Sequence, residues 1–387
     1  MNNTIITLKG PDRVRKRPAV IFGEEGVLGA IGAIRMLLDV FFTEAAVGCC
    51  EKIKVTLHKD SSLSIESSDR GIILSETPID SNPAWHYVFC DFGAPGSRNG
   101  EFVFESVFSK HSDLFGKSDK NNSTFVTDEE HGFDLCCVQC VCEFMKVVSV
   151  RAGEKKHLSF SKGYSSSKLT KESAADPNGT CVHFKLDSDV FGDISTPKSA
   201  IINMLKEAAI TIPGLRTELY DQTDNTKSEY FFPAGALDYA NSIKASDLSL
   251  YDKTIEVCGK DRYNRPEYNA RVRVLVGFGE NSEVECFHNR KKLLCGGAHL
   301  NAVKEKLIRN VNDWFSYENQ QIDTVFKDVC EKLILIIVSD STFTEWETGR
   351  KDSIKNKMIA DMATDLINDD FVHYLKQNKE KIQRYIK

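Results

Sequence analysis

The segment Cys136–Cys142 contains four cysteines, and the spacing of Cys137 and Cys140 is one that can hold a metal ion. A structural zinc site usually needs a second pair of ligands. The surrounding run, Leu135–Phe144, is apolar and typical of a helix, where cysteine behaves as a small apolar residue. We therefore predict that these thiols pack in a core and that the chain has no metal site.

Other reactive side chains form weaker patterns. His111, His157 and His183 have no partners at the spacing of a nucleophilic triad. The run Arg290-Lys291-Lys292 could contact DNA through its phosphates, although a solvated turn is the favoured interpretation. A second basic run, Arg13 to Arg17, could also contact DNA, although a solvated or salt-bridged role is the favoured interpretation.

Composition narrows the class of protein. The chain has 387 residues, enough for two domains, and a formal net charge of −6, so it is not a nucleic-acid binder by overall charge. We see no apolar run near the roughly 20 residues that span a bilayer, and no signal peptide. Twelve cysteines in such a chain are expected to be reduced thiols, which predicts a cytoplasmic protein.

Periodicity predicts the elements of the first half. Apolar residues from Gly26 to Gly48 indicate a buried helix. Alternation in 53–58 and 62–66 predicts a hairpin, as it does in 146–150 and 157–161. The run 182–186 is typical of a strand and 199–210 of an amphipathic helix.

The second half begins after a polar stretch, so we place the domain boundary between residues 225 and 226. Strands are predicted at 269–277 and 283–288, as a hairpin, and at 333–338. Long helices are predicted at 302–314 and 354–376. This order indicates an α+β or α/β second domain.

Several motifs occur in the order of a known family. They are Val14-Arg15-Lys16-Arg17-Pro18, Glu44-Ala45-Ala46-Val47-Gly48, Asp69-Arg70-Gly71-Ile72, Gly179-Thr180 and Gly296-Gly297-Ala298-His299-Leu300. In this order the chain resembles the N-terminal ATPase and transducer region of the bacterial type IIA topoisomerase B protein (DNA gyrase or topoisomerase IV), a GHKL protein. The resemblance implies an α+β fold, with a GHKL (Bergerat-type) sandwich at 1–225 and a ribosomal-S5-like β-α-β transducer domain at 226–387. The family's Toprim half, which binds metal for DNA cleavage, has no counterpart in the sequence.

The resemblance also implies where an ATP site would lie. The family's catalytic glutamate and magnesium-binding asparagine align with Met36 and Val40, which can neither take a proton nor ligate a hard cation. Its adenine-binding aspartate aligns with Ser67, and Asp69 replaces a glycine. Two other residues of the turn, Arg70 and Gly71, are kept, as is Thr180 beside the adenine position.

Two further parts of the family's site are altered. The phosphate-binding lid aligns with residues 128–134, where only His131 and Gly132 are kept and four carboxylates oppose a triphosphate. The transducer lysine that reaches the terminal phosphate aligns loosely with Lys351. The degenerate pocket therefore comprises Met36, Val40, Ser67, Asp69, Arg70, Gly71, His131, Gly132, Thr180 and Lys351.

These observations predict a catalytically inactive gyrase-B-like protein that acts as a binding or regulatory module, without cofactor or metal. The expected partner is a protein, either a topoisomerase subunit or another DNA-associated complex. DNA contact and a homodimer stay open, although exchange of N-terminal arms is not expected, and no membrane is involved. The alternative is a divergent ATP-binding subunit of a type IIA topoisomerase, with ATP and magnesium as its cofactors and the cleavage function on separate subunits.

Overall fold

The computed structural model describes residues 8, 10–76, 78–79, 82–90, 97–98, 101–102, 104–106, 109–110, 131–194, 197–244, 247–259, 268–317, 331–347 and 351–385. These residues form two units. The first comprises the described residues up to 206 together with 215–231, and the second comprises 207–214 and those from 232 onwards.

The described helices of the first unit include one long helix of 21 residues. They are α1 (Asp12–Arg15), α2 (Pro18–Phe22), α3 (Gly26–Ala46), α4 (Ala84–Phe89), α5 (His131–Cys140), α6 (Ser188–Phe191) and α7 (Lys198–Thr211). The predicted helix at 26–48 is confirmed as α3, and the helix at 199–210 as α7. Helix α7 continues into the second unit at residue 207.

Helix α3 is long and apolar enough to cross a bilayer, with 21 residues. The expectation that no apolar run reaches this length is therefore wrong. Residues such as Ala30, Leu37 and Phe41 are fully buried, and more than half of the apolar window lies inside the protein. Burial of this kind identifies a core helix, because the apolar side chains already have protein partners.

The first unit contains a sheet that has both antiparallel and parallel strand pairs. Its strands are β1 (Lys52–Leu57), β2 (Leu63–Ser67), β3 (Cys142–Arg151), β4 (Glu154–Ser161), β5 (Tyr164–Ser165), β6 (Thr170–Ser173), β7 (Gly179–Leu186), β8 (Arg216–Asp221) and β9 (Thr226–Phe231). The order is β5-β4-β3-β7-β2-β1-β8-β9, with β6 paired to β4. Only β1 and β8 pair in parallel, among the described strands of this sheet.

Both hairpins predicted in this half are present, as β1–β2 and β3–β4. The boundary placed between residues 225 and 226 falls at the start of β9, whose partner β8 belongs to the same unit. Short pairs join Pro78–Ile79 to Asn82–Pro83, Ser97–Arg98 to Glu101–Phe102, and Phe104–Ser106 to Ser109–Lys110.

The second unit contains a smaller sheet and helices on it. Its strands are β10 (Tyr251–Gly259), β11 (Tyr268–Phe278), β12 (Glu283–His288), β13 (Lys291–Lys292) and β15 (Leu333–Ser341), in the order β10-β11-β15-β12-β13. Two short strands, β14 (Gly296–Gly297) and β16 (Ser353–Ile354), pair in parallel. The helices are α8 (Ala236–Ile243), α9 (Ala298–Tyr317), α10 (Lys357–Asp365), α11 (Asp369–Gln377) and α12 (Lys379–Ile382).

Two predictions for this half are wrong in detail. The runs 269–277 and 283–288 do not form a hairpin, because β15 lies between β11 and β12. The apolar residues 333–338 are all buried, which explains why this strand takes a central place. The single helix predicted at 354–376 is divided into α10 and α11, since Asn368 caps the second helix by accepting a 2.9 Å hydrogen bond from the backbone N–H of Asp370.

Candidate functional site: the turn between β2 and Ile72

Three side chains lie on one face of α3, because Met36, Val40 and Glu44 are spaced four residues apart. Val40 is buried and Met36 is half-buried. Neither offers a base or a metal ligand at this place. Asp39, the nearest carboxylate in sequence, pairs instead with Arg35 at 2.8 Å.

Glu44 holds the turn that follows β2. Its carboxylate, 2% exposed, accepts hydrogen bonds from Arg70 Nε at 2.5 Å and Nη2 at 2.9 Å. This bidentate geometry is the strong form of an arginine–carboxylate pair. In the sequence Glu44 served only to align the helix, and no local signal indicated this contact.

Asp69 is the centre of the turn. Its Oδ1 accepts from the backbone N–H of Gly71 at 2.6 Å and from Thr180 Oγ1 at 2.8 Å, and its Oδ2 accepts from Ser67 Oγ at 2.5 Å. Thr180 Oγ1 in turn accepts from the backbone N–H of Ile72 at 3.1 Å. The side chain of Asp69 thus accepts hydrogen bonds from donors at the end of β2 and near the start of β7. The residue is 3% exposed.

Burial raises the pKa of the Asp69 carboxyl to about 6. The hydrogen bonds from Ser67, Gly71 and Thr180 oppose this rise because they stabilise the charged form, and the negative charge of Glu44 adds to it. The site therefore holds a buried acid that changes charge near neutral pH.

The backbone of the turn needs glycine at one position. Gly71 has φ +81°, and a Cβ there would lie 2.4 Å from the carbonyl oxygen of Val150. Two side chains from β3 complete the arrangement: Ser149 Oγ donates to the Ile72 carbonyl at 2.8 Å, and Arg151 Nη1 donates to the Gly71 carbonyl at 2.8 Å. Neither was identified from the sequence, where the alternation of β3 was the only available signal.

A cavity of about 270 Å³ opens beside this turn, between Ile72–Ser75 and the β3–β4 hairpin. Its polar wall includes Arg151 and Lys156. The described residues of this wall thus present two cations and no carboxylate.

The other predicted site residues are placed as follows. Backbone of His131 and Gly132 opens α5, while their side chains and residues 128–130, which carry most of the acidic lid, lie outside the described residues. Lys351 belongs to the second unit, where its Nζ lies 5.8 Å from the centre of the Trp346 ring.

The basic run of the second unit is unequally exposed. Arg290 is 3% exposed, which keeps its guanidinium from solvent. Lys291 Nζ donates to the Lys351 carbonyl at 3.1 Å, and Lys292 pairs with Glu285. Of the three DNA candidates, only the two lysines reach the surface. Near the N-terminus, Arg15 pairs with Asp187 at 2.7 Å, as its salt-bridged interpretation requires.

The cysteine segment lies in the core. Cys136, Cys137, Cys140 and Cys142 are all buried, and burial raises the pKa of the Cys142 thiol. Within the described part of the chain, no group of three or more His, Cys, Asp or Glu side chains is arranged to hold a metal ion.

Comparison with solved structures identifies the fold. The 43K ATPase domain of Thermus thermophilus gyrase B, solved with an aminocoumarin, matches 97% of this chain and 92% of its own length, with a TM-score of 0.70 and 23% identity. The topoisomerase IV ATP-binding domain of Francisella tularensis, solved with a small-molecule inhibitor, matches with a TM-score of 0.68 and 17% identity over 98% of this chain and 95% of that one. The α+β fold of a GHKL domain with a transducer domain is confirmed.

Sequence comparison agrees. The DNA gyrase B family model matches residues 235–387. The DNA gyrase B protein of Thermotoga maritima is 26% identical over 98% of this chain and 57% of its own length, and that of Thermus thermophilus is 27% identical over 81% and 46%. The chain is related to the N-terminal region of the type IIA topoisomerase B protein. It spans about half the length of the gyrase B proteins that it matches. Within this gyrase-B-like frame, the prediction that Met36, Val40 and Asp69 depart from the family's functional positions stays a prediction.

Proposed function

We propose that this gyrase-B-like chain is a binding or regulatory module that does not hydrolyse ATP. The observation that carries the proposal is the placement of the Asp69 carboxylate, which occupies the hydroxyl groups of Ser67 and Thr180 and the N–H of Gly71. Ser67 is the last residue of β2, Thr180 lies near the start of β7, and Gly71 lies in the turn that follows β2. A ligand entering there would have to displace a buried, hydrogen-bonded side chain.

The chemistry of hydrolysis is also lacking on α3. A water molecule that attacks a phosphate must be oriented and deprotonated, and the phosphates must be neutralised by a bound cation. Met36 and Val40 provide neither function. Removal of both groups would abolish turnover even if a nucleotide bound.

A protein partner is proposed because the chain keeps the fold of the gyrase B proteins that it resembles. The related proteins are named as parts of DNA gyrase, so we propose that this chain acts on a topoisomerase subunit or another DNA-associated complex in the cytoplasm. Its two units would then provide the surfaces that bind this partner. DNA contact through Lys291 and Lys292 is part of the same proposal.

The alternative is a divergent ATP-binding subunit that works with separate cleavage subunits. It is favoured by the Glu44–Arg70 ion pair, by Gly71 and by Thr180, all of which would also shape a nucleotide site. On this alternative, Asp69 would accept the amino group of a purine once its present donors were rearranged.

Calorimetric titration with ATP, with and without magnesium, separates the two. The 43K ATPase domain of Thermus thermophilus gyrase B serves as the positive control. We expect no saturable heat for this chain up to about 1 mM ATP, a concentration that reveals binding of about 4 kcal/mol or stronger. Micromolar, magnesium-dependent binding with phosphate release would establish the alternative. Addition of the chain to a gyrase supercoiling reaction then tests the regulatory role, which requires a changed rate without nucleotide binding to this chain.

A further inference from the structure

The sheet of the first unit ends in a strand with one open edge. Strand β9 pairs with β8, and it has no second neighbour among the described strands. Its six residues pair with β8 without a break in register. An open edge of this kind can take up another strand through its backbone N–H and C=O groups.

The register shows which backbone groups of β9 point outward. The backbone N–H of Arg216 in β8 donates to the Glu51 carbonyl at 2.9 Å, so the even-numbered residues of β8 face β1. The odd-numbered residues of β8 therefore bond to β9, at its positions 226, 228 and 230. The backbone groups of Lys227, Glu229 and Phe231 are left pointing away from the sheet.

The usual devices that keep sheet edges apart are not found on β9. Proline, bulges and like charges that would face each other are such devices. Residues 226–231 contain no proline, and their pairing with β8 has no bulge. The two charged residues that point outward, Lys227 and Glu229, have opposite signs. A strand with this pattern can therefore pair with a copy of itself.

A two-fold axis at Ser228 matches the pattern of charge. In an antiparallel pair of β9 strands centred there, Lys227 lies opposite Glu229 of the second copy, and Glu229 lies opposite Lys227 of the second copy. Opposite residues have Cβ atoms about 5 Å apart, so each ammonium group meets a carboxylate. Ser228 meets its own copy at the axis, where its small side chain permits the close approach of a pair without hydrogen bonds.

The neighbouring registers place like charges together. With the axis at Glu229 the two glutamates face each other, and with the axis at Lys227 the two lysines do, which is unfavourable. An axis midway between two residues would set an outward residue against an inward one, which an antiparallel ladder does not allow. Charge therefore selects the register centred on Ser228.

Contacts within the chain leave both charges at the surface. Lys227 Nζ lies 3.1 Å from the Glu229 carboxylate and 3.5 Å from that of Glu218, and the Lys227 side chain is 53% exposed. Exposed pairs of this kind contribute little to stability. Contacts with a second copy can therefore extend or replace them at small cost.

We propose that two copies of this chain associate through β9, with the two-fold axis at Ser228, so that their sheets join edge to edge. The symmetric pairing uses the β9 edge of both copies, so it closes at a dimer. The interface uses none of residues 1–8. This inference goes beyond the proposed function and holds whether or not a nucleotide binds at the Asp69 turn.

Charge reversal tests the proposed interface. Sedimentation velocity of the full chain at rising concentration should show a species of twice the mass of one chain. Lys227→Glu and Glu229→Lys, each alone, should weaken this association about tenfold or more, because both symmetric pairs then carry like charges. An equimolar mixture of the two variants should restore it, since an edge with two carboxylates then faces an edge with two ammonium groups.

Lys253→Glu is the matched control. Lys253 lies on β10, the edge strand of the other sheet, its side chain is 45% exposed, and it pairs with Asp370 at 2.8 Å. This variant should associate as the unmodified chain does. Circular dichroism and the unfolding midpoint establish that all three variants are folded.

Three results would overturn the proposal. The first is that the unmodified chain keeps the mass of one chain at every concentration. The second is that the mixture of Lys227→Glu with Glu229→Lys associates no better than either variant alone. The third is that Lys253→Glu weakens association as much as Lys227→Glu, which would place the contact away from β9.

Discussion

The hydroxyl of Thr180 donates a 2.8 Å hydrogen bond to the carboxylate of Asp69, although 111 residues separate them in the chain. Pairing of β7 with β2 brings them together, since Thr180 lies opposite Ser67 in the register. A carboxylate therefore lies beside Thr180, and it is supplied from the turn and not from the end of β2. If Ser67 takes the place of the family's adenine-binding aspartate, as the sequence predicts, this exchange of position would distinguish the site from the family pattern.

Moving the carboxylate back to the strand should reopen the site. In the double variant Ser67→Asp, Asp69→Gly, the side chain that now occupies Thr180 and Gly71 is removed, and an acceptor is restored at the end of β2. We expect the affinity for ADP to rise at least tenfold over the unmodified chain, about 1.4 kcal/mol. Calorimetry measures this change.

The single variant Ser67→Asp is the control for that experiment, because it adds a carboxylate without removing the first. It should not bind ADP more tightly than the unmodified chain. Equal gains in the single and double variants would show that Asp69 does not block the site. Neither variant should hydrolyse ATP, since Met36 and Val40 are unchanged.

The pH dependence of stability should reveal Asp69. Burial raises its pKa from an ordinary value of 3.8 to about 6. A raised folded-state pKa favours the protonated form, so this contribution to stability is full below pH 3.8 and is lost as pH rises through 6. The difference of about 2 in pKa corresponds to about 3 kcal/mol.

Urea unfolding of the unmodified chain and of Asp69→Asn between pH 4 and 7 measures this contribution. The free energy of unfolding of the unmodified chain should fall by about 2.5 kcal/mol relative to the variant across this range, since part of the change lies below pH 4. Other groups, including His183, whose pKa is lowered by burial, are common to both proteins and cancel. A difference that is constant with pH would show that Asp69 titrates normally.

The Glu44–Arg70 pair should hold the turn against α3. Arg70→Met leaves a carboxylate that is 2% exposed without its bidentate partner. We expect a loss of about 2–3 kcal/mol in the free energy of unfolding, below that of a fully buried pair because the Arg70 side chain is 30% exposed. Denaturant titration gives the value.

Lys54→Met is the matched control, since the Lys54–Glu66 pair has side chains 35% and 49% exposed. Its loss should be below about 1 kcal/mol. If Arg70→Met costs no more than Lys54→Met, the buried pair does not stabilise the turn. Replacing both partners, as in Glu44→Leu with Arg70→Met, should recover part of the loss because no carboxylate is left at position 44 without its partner.

Arg290 should contribute to the stability of the fold and should not contact DNA. It is 3% exposed, and its positive charge lowers the pKa of the Asp340 carboxyl, against the larger effect of burial, which raises it. Arg290→Met should lower the free energy of unfolding by about 2 kcal/mol or more. Lys291→Met, at a half-buried position on the surface, should change it by less than about 0.5 kcal/mol.

Duplex DNA binding at several salt concentrations tests the surface lysines. If these lysines contact phosphates, the double variant Lys291→Met, Lys292→Met should make the plot of log affinity against log salt less steep, by about 2 in slope. An unchanged slope would remove this run from any DNA-contacting surface. The exposed pair Lys357–Asp361 offers a control cation, Lys357→Met, outside the run.

The local sequence pattern was sufficient to predict the elements whose pairing partners lie nearby in the sequence. The apolar run of α3, the β1–β2 hairpin and the β3–β4 hairpin could all be predicted, because periodicity and turn residues act within a few positions. The order of motifs also indicated the family. Strand order in the second unit could not be predicted, since insertion of β15 between β11 and β12 depends on contacts between residues more than 40 positions apart.

By itself, the sequence determined that positions 36 and 40 of α3 carry neither a base nor a metal ligand, because Met36 and Val40 have no acidic or oxygen-bearing group. It also showed that an aspartate stands at position 69. Only the tertiary structure decided what Asp69 does. Its carboxylate meets the donors of Ser67, Gly71 and Thr180 because β7 pairs with β2 and the turn folds back over both strand ends, and this pairing of distant segments leaves no local signal in the chain.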